Sequence, residues 1–404
     1  MGSAAGLHTI AEAHAAVARA VREQAGLLTS ALLRILGDFG VAEEIVQDAL
    51  LIALERWPVD GIPDRPGAWL LTVARRLAMN RLARDARYRV RLAQLESEEQ
   101  PEVDDRLRLI FTCCHPSLAR DAQVALTLRT VCGLTTAEIA HAFLATESTV
   151  AQRIVRARRK IVDARIPYRV PDERARGERI DEVLSVLYLM FNEGYLATEG
   201  IPSRRDLSED AAWLAALVCR LLPNEPEPKG LLALMQIHLA RAEARFDANG
   251  EIVLLRRQDR TRWNRALIQQ AVSLIELAAA SRRLGPYQIE AAIAAVHAEA
   301  TELDATDWPQ IVALYDLLLD FKPSPVVRLN RAVALRQIVG PEEALAEVEQ
   351  LASALDGYHI YHATRGELLL EMGERAQARA AQIRALELTK NDAERSLLRG
   401  RLFA

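Results

Sequence analysis

Between Gln152 and Lys160 the chain sets one amide and five cations in nine residues: Gln152, Arg153, Arg156, Arg158, Arg159 and Lys160. Guanidinium forks match phosphate oxygens and the exposed edge of guanine, and an amide matches adenine, so this composition suits contact with nucleic acid. Such groups act together only if one helix carries them, and the surrounding residues specify one. Gly133 interrupts the apolar series Val124, Leu126, Leu128 and Val131, and Thr135 with Glu138 has the spacing of a reciprocal helix-start cap. Ile139, Ala140 and Phe143 form the buried face of that short helix. A turn at Leu144 to Thr146 follows, with Thr146 as N-cap of a second helix. Val150, Ile154 and Val155 are expected to face inward, leaving the cations outward and Ser148, Thr149, Gln152 and Arg153 early on the outer face. The pattern reads as a helix-turn-helix that lays its second helix in a major groove.

A second cationic helix lies upstream. Trp69, Leu70, Val73, Ala74 and Leu77 recur at helical spacing from Ala68 onward, while Arg75, Arg76, Asn80, Arg81, Arg84, Arg87, Arg89 and Arg91 face a single acid, Asp85. That helix is a phosphate-binding surface by charge. Before it, Pro58 to Gly67 holds three prolines and two glycines and is expected to be a rigid exposed loop. Earlier still, Ile10 to Trp57 predicts helices broken at Gly37 to Gly40. The helix from Ala42 to Trp57 sets Ile45, Val46, Ala49, Leu50 and Ala53 on one face and Glu43, Glu44, Gln47, Asp48 and Leu51 toward the other. Leu95 to Asp105 carries six acids and a proline and reads as a linker.

Composition narrows the class. Of 404 residues half are hydrophobic and 5% aromatic, and long β-branched alternations are missing, so an almost all-α chain of several domains is expected. The net charge of −4 leaves any DNA binding to local patches. The first residues lack a basic start followed by an apolar core, and uncharged apolar runs stay short of a membrane span, which predicts a cytoplasmic protein without membrane contact. Cys113, Cys114 and His115 lack the spacing of a structural zinc site and read as buried packing residues. The eight histidines have no nucleophile or carboxylate at catalytic spacing, so no enzyme, metal or cofactor is expected.

Taken together these blocks resemble a group-four, extracytoplasmic-function sigma factor of bacterial RNA polymerase. ILGDFGVAEEIVQDALLIALERW is similar to the earlier helices of sigma region two, GAWLLTVARRLAMNRLARDAR to its later helices, and the helix-turn-helix to region four. The resemblance implies sigma domain two over 1–93, the acidic linker over 94–105 and sigma domain four over 106–167. It implies that Glu43, Glu44, Gln47, Asp48 and Leu51 dock on the β′ clamp helices of core polymerase, with domain four near the β flap. Asp60, Gly61, Ile62, Pro63, Asp64 and Arg65 would form the loop that captures a flipped minus-ten base, with Arg76, Asn80, Arg81 and Arg84 beside it. Ser148, Thr149, Gln152 and Arg153 would read minus-thirty-five bases, and Arg156, Arg158, Arg159 and Lys160 would hold phosphates. A helix-turn-helix activator with a repeat sensor is the competing reading, but it has no use for the ordered blocks of residues 42–91.

Residues 168–404 go beyond an ordinary member of that group. TCCHP and FNEGY together resemble the sigma subfamily with a tetratricopeptide-like C-terminal domain. A repeat is visible in the residues themselves: Asn330, Ala332, Ile338, Glu342 and Ala344 recur 34 positions later as Thr364, Gly366, Met372, Ala376 and Ala378, clearest over 323–390. Helices are also expected over Asp210 to Leu222, Gly230 to Phe246, Arg262 to Arg283 and Tyr287 to Thr301. Stacked helix pairs leave a concave surface suited to a protein or small-molecule regulator. Asp247 to Trp263 interrupts the period, with Ile252 to Leu255 its most strand-like run and no chemistry assigned.

Overall fold

Gly37 and Asp38 illustrate how local rules build the first helices. Gly37 takes φ 68°, which stops α1 (Ile10–Leu36), and the Asp38 carboxylate accepts the Val41 N–H at 3.0 Å to start α2 (Phe39–Asp60). The computed structural model describes residues 10–83, 105–143, 145–195, 205–247 and 251–402, so Leu144, Arg84, Arg87, Arg89, Arg91 and most of the acidic linker lie outside the described residues. The chain divides into two units, Met1–Val186 and Leu187–Ala404.

In the first unit α1, α2 and α3 (Pro66–Ala83) pack on one another through Leu28, Leu32, Ile45, Ala49, Ala53, Leu70, Ala74 and Ala78, all buried. Two expectations need correction here. Helix α2 runs through Pro58 to Asp60, so the loop is shorter than Pro58 to Gly67 and Pro66 and Gly67 already belong to α3. The reason is packing: Trp57 is buried edge-to-face on Trp69, ring centroids 5.6 Å apart, which carries the last turn past a proline. Gly61, at φ 91°, then closes α2 by donating its N–H to the Trp57 carbonyl at 3.1 Å.

The rest of this unit is α4 (Asp105–Cys113), α5 (Arg120–Thr130), α6 (Thr136–Ala142) and α7 (Glu147–Asp163), followed by the start of α8 (Glu173–Tyr195). The reciprocal cap forms as expected: the Thr135 N–H donates to Glu138 Oε2 at 2.7 Å and the Glu138 N–H to Thr135 Oγ1 at 3.1 Å. Thr146 caps α7 by accepting the Thr149 N–H at 3.2 Å. The buried stripe of α7 is Val150, Ile154, Ala157 and Ile161. Val155 is 62% exposed and not inward as expected, because it lies one residue off that stripe.

A polar seam joins these two helical groups. Glu43 of α2 accepts Arg129 Nε of α5 at 2.7 Å on one carboxylate oxygen and meets Arg158 Nη2 of α7 at 2.5 Å on the other, all three side chains being mostly buried. Arg158 therefore turns inward, against the expectation that it points away. At the far end the Tyr168 hydroxyl donates to the carbonyls of Ser30 and Asp105, each at 3.1 Å, and Arg34 pairs with Asp105 at 3.5 Å.

The second unit continues α8 and adds α9 (Arg205–Leu221), α10 (Glu227–Ala240), α11 (Ala242–Arg245), α12 (Arg265–Ala279), α13 (Pro286–Glu299) and α14 (Trp308–Phe321). It closes with α15 (Pro325–Val339), α16 (Pro341–Glu349), α17 (Ala352–Leu355), α18 (His359–Glu371), α19 (Arg375–Leu388) and α20 (Asp392–Leu402). From α12 to α16 each helix packs on the next, as does α18 on α19 and α19 on α20; α10 packs on α9, α12 and α13, and a Cβ on Gly230 would meet the Gln288 backbone N at 2.6 Å. The expected helix from Gly230 to Phe246 is broken at Arg241. There the Asn264 N–H takes the Ala240 carbonyl at 2.9 Å, and Arg241 lies over Trp263. The strand-like run supplies a single bridge, Phe246 to Ile252, and then two 3-10 turns, Leu255–Arg257 and Arg260–Arg262. Helices α15 and α18 begin at Pro325 and His359, and α16 and α19 at Pro341 and Arg375, so both pairs of starts are 34 residues apart. Among the described residues no helix is long and apolar enough to cross a membrane.

The seam makes stability depend on pH. Burial pushes the Glu43 carboxyl upward, but the Arg158 and Arg129 charges and hydrogen bonds outweigh it and hold it below the ordinary carboxylate value. A depressed folded-state value stabilises fully above the unfolded value of about 4.3, and that stabilisation is lost as pH falls through the folded value. Glu43→Gln should therefore lower the unfolding free energy by about 1–2 kcal/mol at neutral pH, the scale of a charge-assisted contact. Urea titrations should show that gap shrinking from about pH 4 downward. An equal gap at pH 7 and pH 3, or none at either, would contradict the seam's electrostatic role.

Candidate nucleic-acid interface

Helix α7 presents its outer face through residues spaced by three, four and seven positions. Gln152, Arg156, Arg159 and Lys160 are exposed along it, and Arg153 is half-buried at its edge in a 3.3 Å pair with Asp121. Arg159 pairs with Asp163 at 3.5 Å within the helix, a contact that water and salt weaken. Ser148 and Thr149 stand at the helix start, their hydroxyls 2.9 and 2.8 Å from Thr146 Oγ1. The cap thus fixes the two early side chains expected to meet base edges. Arg158 is not on this face, being committed to Glu43.

Helix α3 offers a second cationic face. Arg75, Arg76, Asn80 and Arg81 are exposed, and Arg81 reaches Glu44 of α2 at 3.0 Å. Arg84 lies outside the described residues. Between α2 and α3 the loop exposes Asp60, Asp64 and Arg65 and partly buries Gly61, Ile62 and Pro63. Ile62 and Arg65 lean over a groove of about 520 Å³ whose other wall is α1, through Arg19, Gln24 and Leu27. Those three α1 residues escaped sequence reasoning, because helical periodicity marks α1 as a core helix and gives no sign that its outer flank borders the loop. A concavity with apolar walls, an amide and two guanidiniums can seat a planar base and its phosphate.

The polar face of α2 is a continuous stripe with one absentee. Glu44, Gln47, Asp48 and Leu51 are exposed at positions i, i+3, i+4 and i+7, and Leu51 is 58% exposed. Glu43 is on the flank of that stripe and is drawn into the seam.

Cys113 and Cys114 do packing work. Their thiols lie 3.2 Å from Thr130 Oγ1 and 3.6 Å from Thr127 Oγ1, and burial pushes both up to about 12, so they stay protonated at neutral pH. His115 Nδ1 accepts the Ser117 N–H at 3.1 Å.

Comparison with known proteins places parts of the chain in families. Residues 20–88 match the model for Sigma-70 region 2, and residues 108–161 that for Sigma-70, region 4. Residues 179–279 match a family of unknown function, DUF6596. The chain is 44% identical over 387 residues to an uncharacterized protein, R00370, of Rhizobium meliloti, covering 92% of each chain. It is 31% identical over 166 residues to the probable ECF RNA polymerase sigma factor SigI of Mycobacterium tuberculosis, covering 38% of this chain and 57% of that one. With the ECF RNA polymerase sigma factor SigL of the same species it is 33% identical over 153 residues, 36% of this chain and 86% of the relative. No solved structure matches. The exposed stripe of α2, the loop and α3 fall inside the first matched region and the cations of α7 up to Lys160 inside the second, and the chain belongs to the ECF RNA polymerase sigma factors.

Proposed function

We propose that the chain docks core RNA polymerase through the α2 stripe and grips promoter DNA at two places, with α3 and its loop at the minus-ten element and α7 at the minus-thirty-five element. The carrying observation is the succession on one unit of an exposed polar stripe on α2, a groove of about 520 Å³ beside the α2–α3 loop and two separate cationic helix faces. Each answers one demand on a sigma factor: hold the enzyme, keep a base that has left the stack, and fix the upstream register. Glu44, Gln47, Asp48 and Leu51 take the clamp helices of β′, with α7 and its neighbours near the β flap. Gln152 and Arg153 read bases, and Arg156, Arg159 and Lys160 hold phosphates.

Glu43 and Arg158 carry two assignments that compete. By family resemblance one faces polymerase and the other phosphate, while in the free chain each neutralises the other. Both assignments require the seam to separate on the promoter. The helix pairs that repeat at 34 residues support a tetratricopeptide-like second unit that modulates this activity by binding a regulator.

Purified chain added to bacterial core polymerase should yield transcripts with a single start at a cognate promoter, and Leu51→Glu should abolish them by placing a charge in the docking stripe. Specific starts without the chain, or full activity of the Leu51→Glu variant, would reject the docking role. For α7, Arg153→Ala should change the preferred minus-thirty-five bases, a bidentate guanine contact being worth about 1–3 kcal/mol of discrimination. Arg156→Ala should weaken all sites alike and reduce the slope of log affinity against log salt by about one. Binding titrations over a promoter library at several salt concentrations separate the two, and matching profiles would refute the division of roles.

A further inference from the structure

The 3-10 turn Leu255–Arg257, helices α18, α19 and α20 and their connections surround an open groove of about 540 Å³ in the second unit. Five guanidiniums line it: Arg256 and Arg257 from the turn, Arg375 and Arg379 from successive turns of α19, and Arg401 from α20. Two carboxylates line it as well, Glu367 and Glu371 of α18. They do not balance the arginines. Glu367 is shared between Arg256, at 3.7 Å, and Arg401, and Glu371 is held by a sixth arginine, Arg336 of α15. Arg257, Arg375 and Arg379 make no ion pair among the described residues. Leu370, Ala378 and Leu402 add an apolar floor.

This is an unusual way to dispose of arginine. Guanidiniums that only solubilise a surface gain by spreading apart, since like charges a few ångströms apart repel and a concavity with apolar walls strengthens the field between them. Here three elements distant in sequence bring them together. Arg401 registers the cost: burial lowers its proton affinity, and of the neighbouring charges Glu367 opposes that change while Arg256 and Arg257 add to it. The interrupting segment Asp247 to Trp263, for which the sequence suggested no chemistry, contributes two of the five arginines.

We propose that this groove is a binding site for a small phosphorylated ligand, its phosphates spanning Arg257, Arg375, Arg379 and Arg401 and its less polar part resting on Leu370 and Leu402. Guanidinium forks pair bidentately with phosphate oxygens, and the volume falls in the range of small-ligand sites, roughly 300–1,000 Å³. A ligand here would tie the insertion to the last two helix pairs, ordering the surface on which a regulator would sit.

Calorimetric titration of the full-length chain tests this without polymerase or DNA, so the outcome is independent of the promoter-binding role. The probes are inorganic pyrophosphate, adenosine diphosphate and adenosine. Pyrophosphate and adenosine diphosphate should bind saturably and adenosine should not. Arg375→Ala with Arg379→Ala, exposed positions whose loss leaves no partner unpaired, should weaken both anions by about tenfold or more, the scale of a charge-assisted contact. Arg257→Ala, outside any α-helix, should act in the same direction. Arg384→Ala, which removes the partner of Glu387 on another face of α19, should leave affinity unchanged. The proposal fails if neither anion binds saturably, if Arg384→Ala weakens binding as much as the groove variants do, or if a short polyglutamate peptide binds more tightly than pyrophosphate, which would make the groove a protein-docking site.

Discussion

One carboxylate, Glu43, lies between two guanidiniums and ties α2 to α5 and α7. Charges withdrawn from water cost free energy unless each finds its counterpart, and here one carboxylate answers two guanidiniums, leaving a net positive charge and the buried Arg158 Nε without a hydrogen-bond partner among the described residues. The contact decides which residues of α2 and α7 remain exposed. Without Glu43 the docking stripe is Glu44, Gln47, Asp48 and Leu51, and without Arg158 the phosphate-facing set is Arg156, Arg159 and Lys160. Those sets are exposed with the contact closed; if Glu43 also meets polymerase and Arg158 also meets phosphate, as family resemblance implies, the contact must part and polymerase and promoter must offset its free energy.

Features governed by local rules could be read directly from the residues. The Thr135 and Glu138 cap, the Thr146 N-cap and the break at Gly37 follow from side-chain chemistry within four positions, and each forms. Features decided by distant packing could not. Pro58 to Gly67 reads as a loop because prolines and glycines crowd it, yet Trp57 against Trp69 extends the helix past Pro58. Val155 was placed inward because apolar residues usually are, though the stripe set by Val150, Ile154, Ala157 and Ile161 leaves it outside. Arg158, four residues after Ile154 and three before Ile161, flanks the buried stripe while Arg159 lies opposite it, and the approach of α2 turns that flanking position inward.

The second unit repeats that lesson at larger scale. Its 34-residue period appears in the sequence because each helix pair buries the same small residues, Ala332 and Ala344 in one pair and Gly366 and Ala378 in the next. What the period cannot convey is the surface of the stack, since charges on different helices meet only after the pairs have packed. The Asp247 to Trp263 segment is the clearest case: an interruption when read along the chain, it becomes one wall of an arginine-lined groove once folded.

The direct test of the account is the distance between α2 and α7 in the free chain and on the promoter. Glu55 and Val162 are exposed on those helices and can be changed to cysteine for paired spin labels, with Cys113, Cys114 and Cys132 buried away from reagent and the partly buried Cys219 changed to serine. Pulsed dipolar spectroscopy should give one short, narrow distance for the free chain and a longer one in the complex with core polymerase and promoter DNA. The same short distance in a complex that initiates transcription would contradict the claim that the Glu43 seam must part for this protein to work.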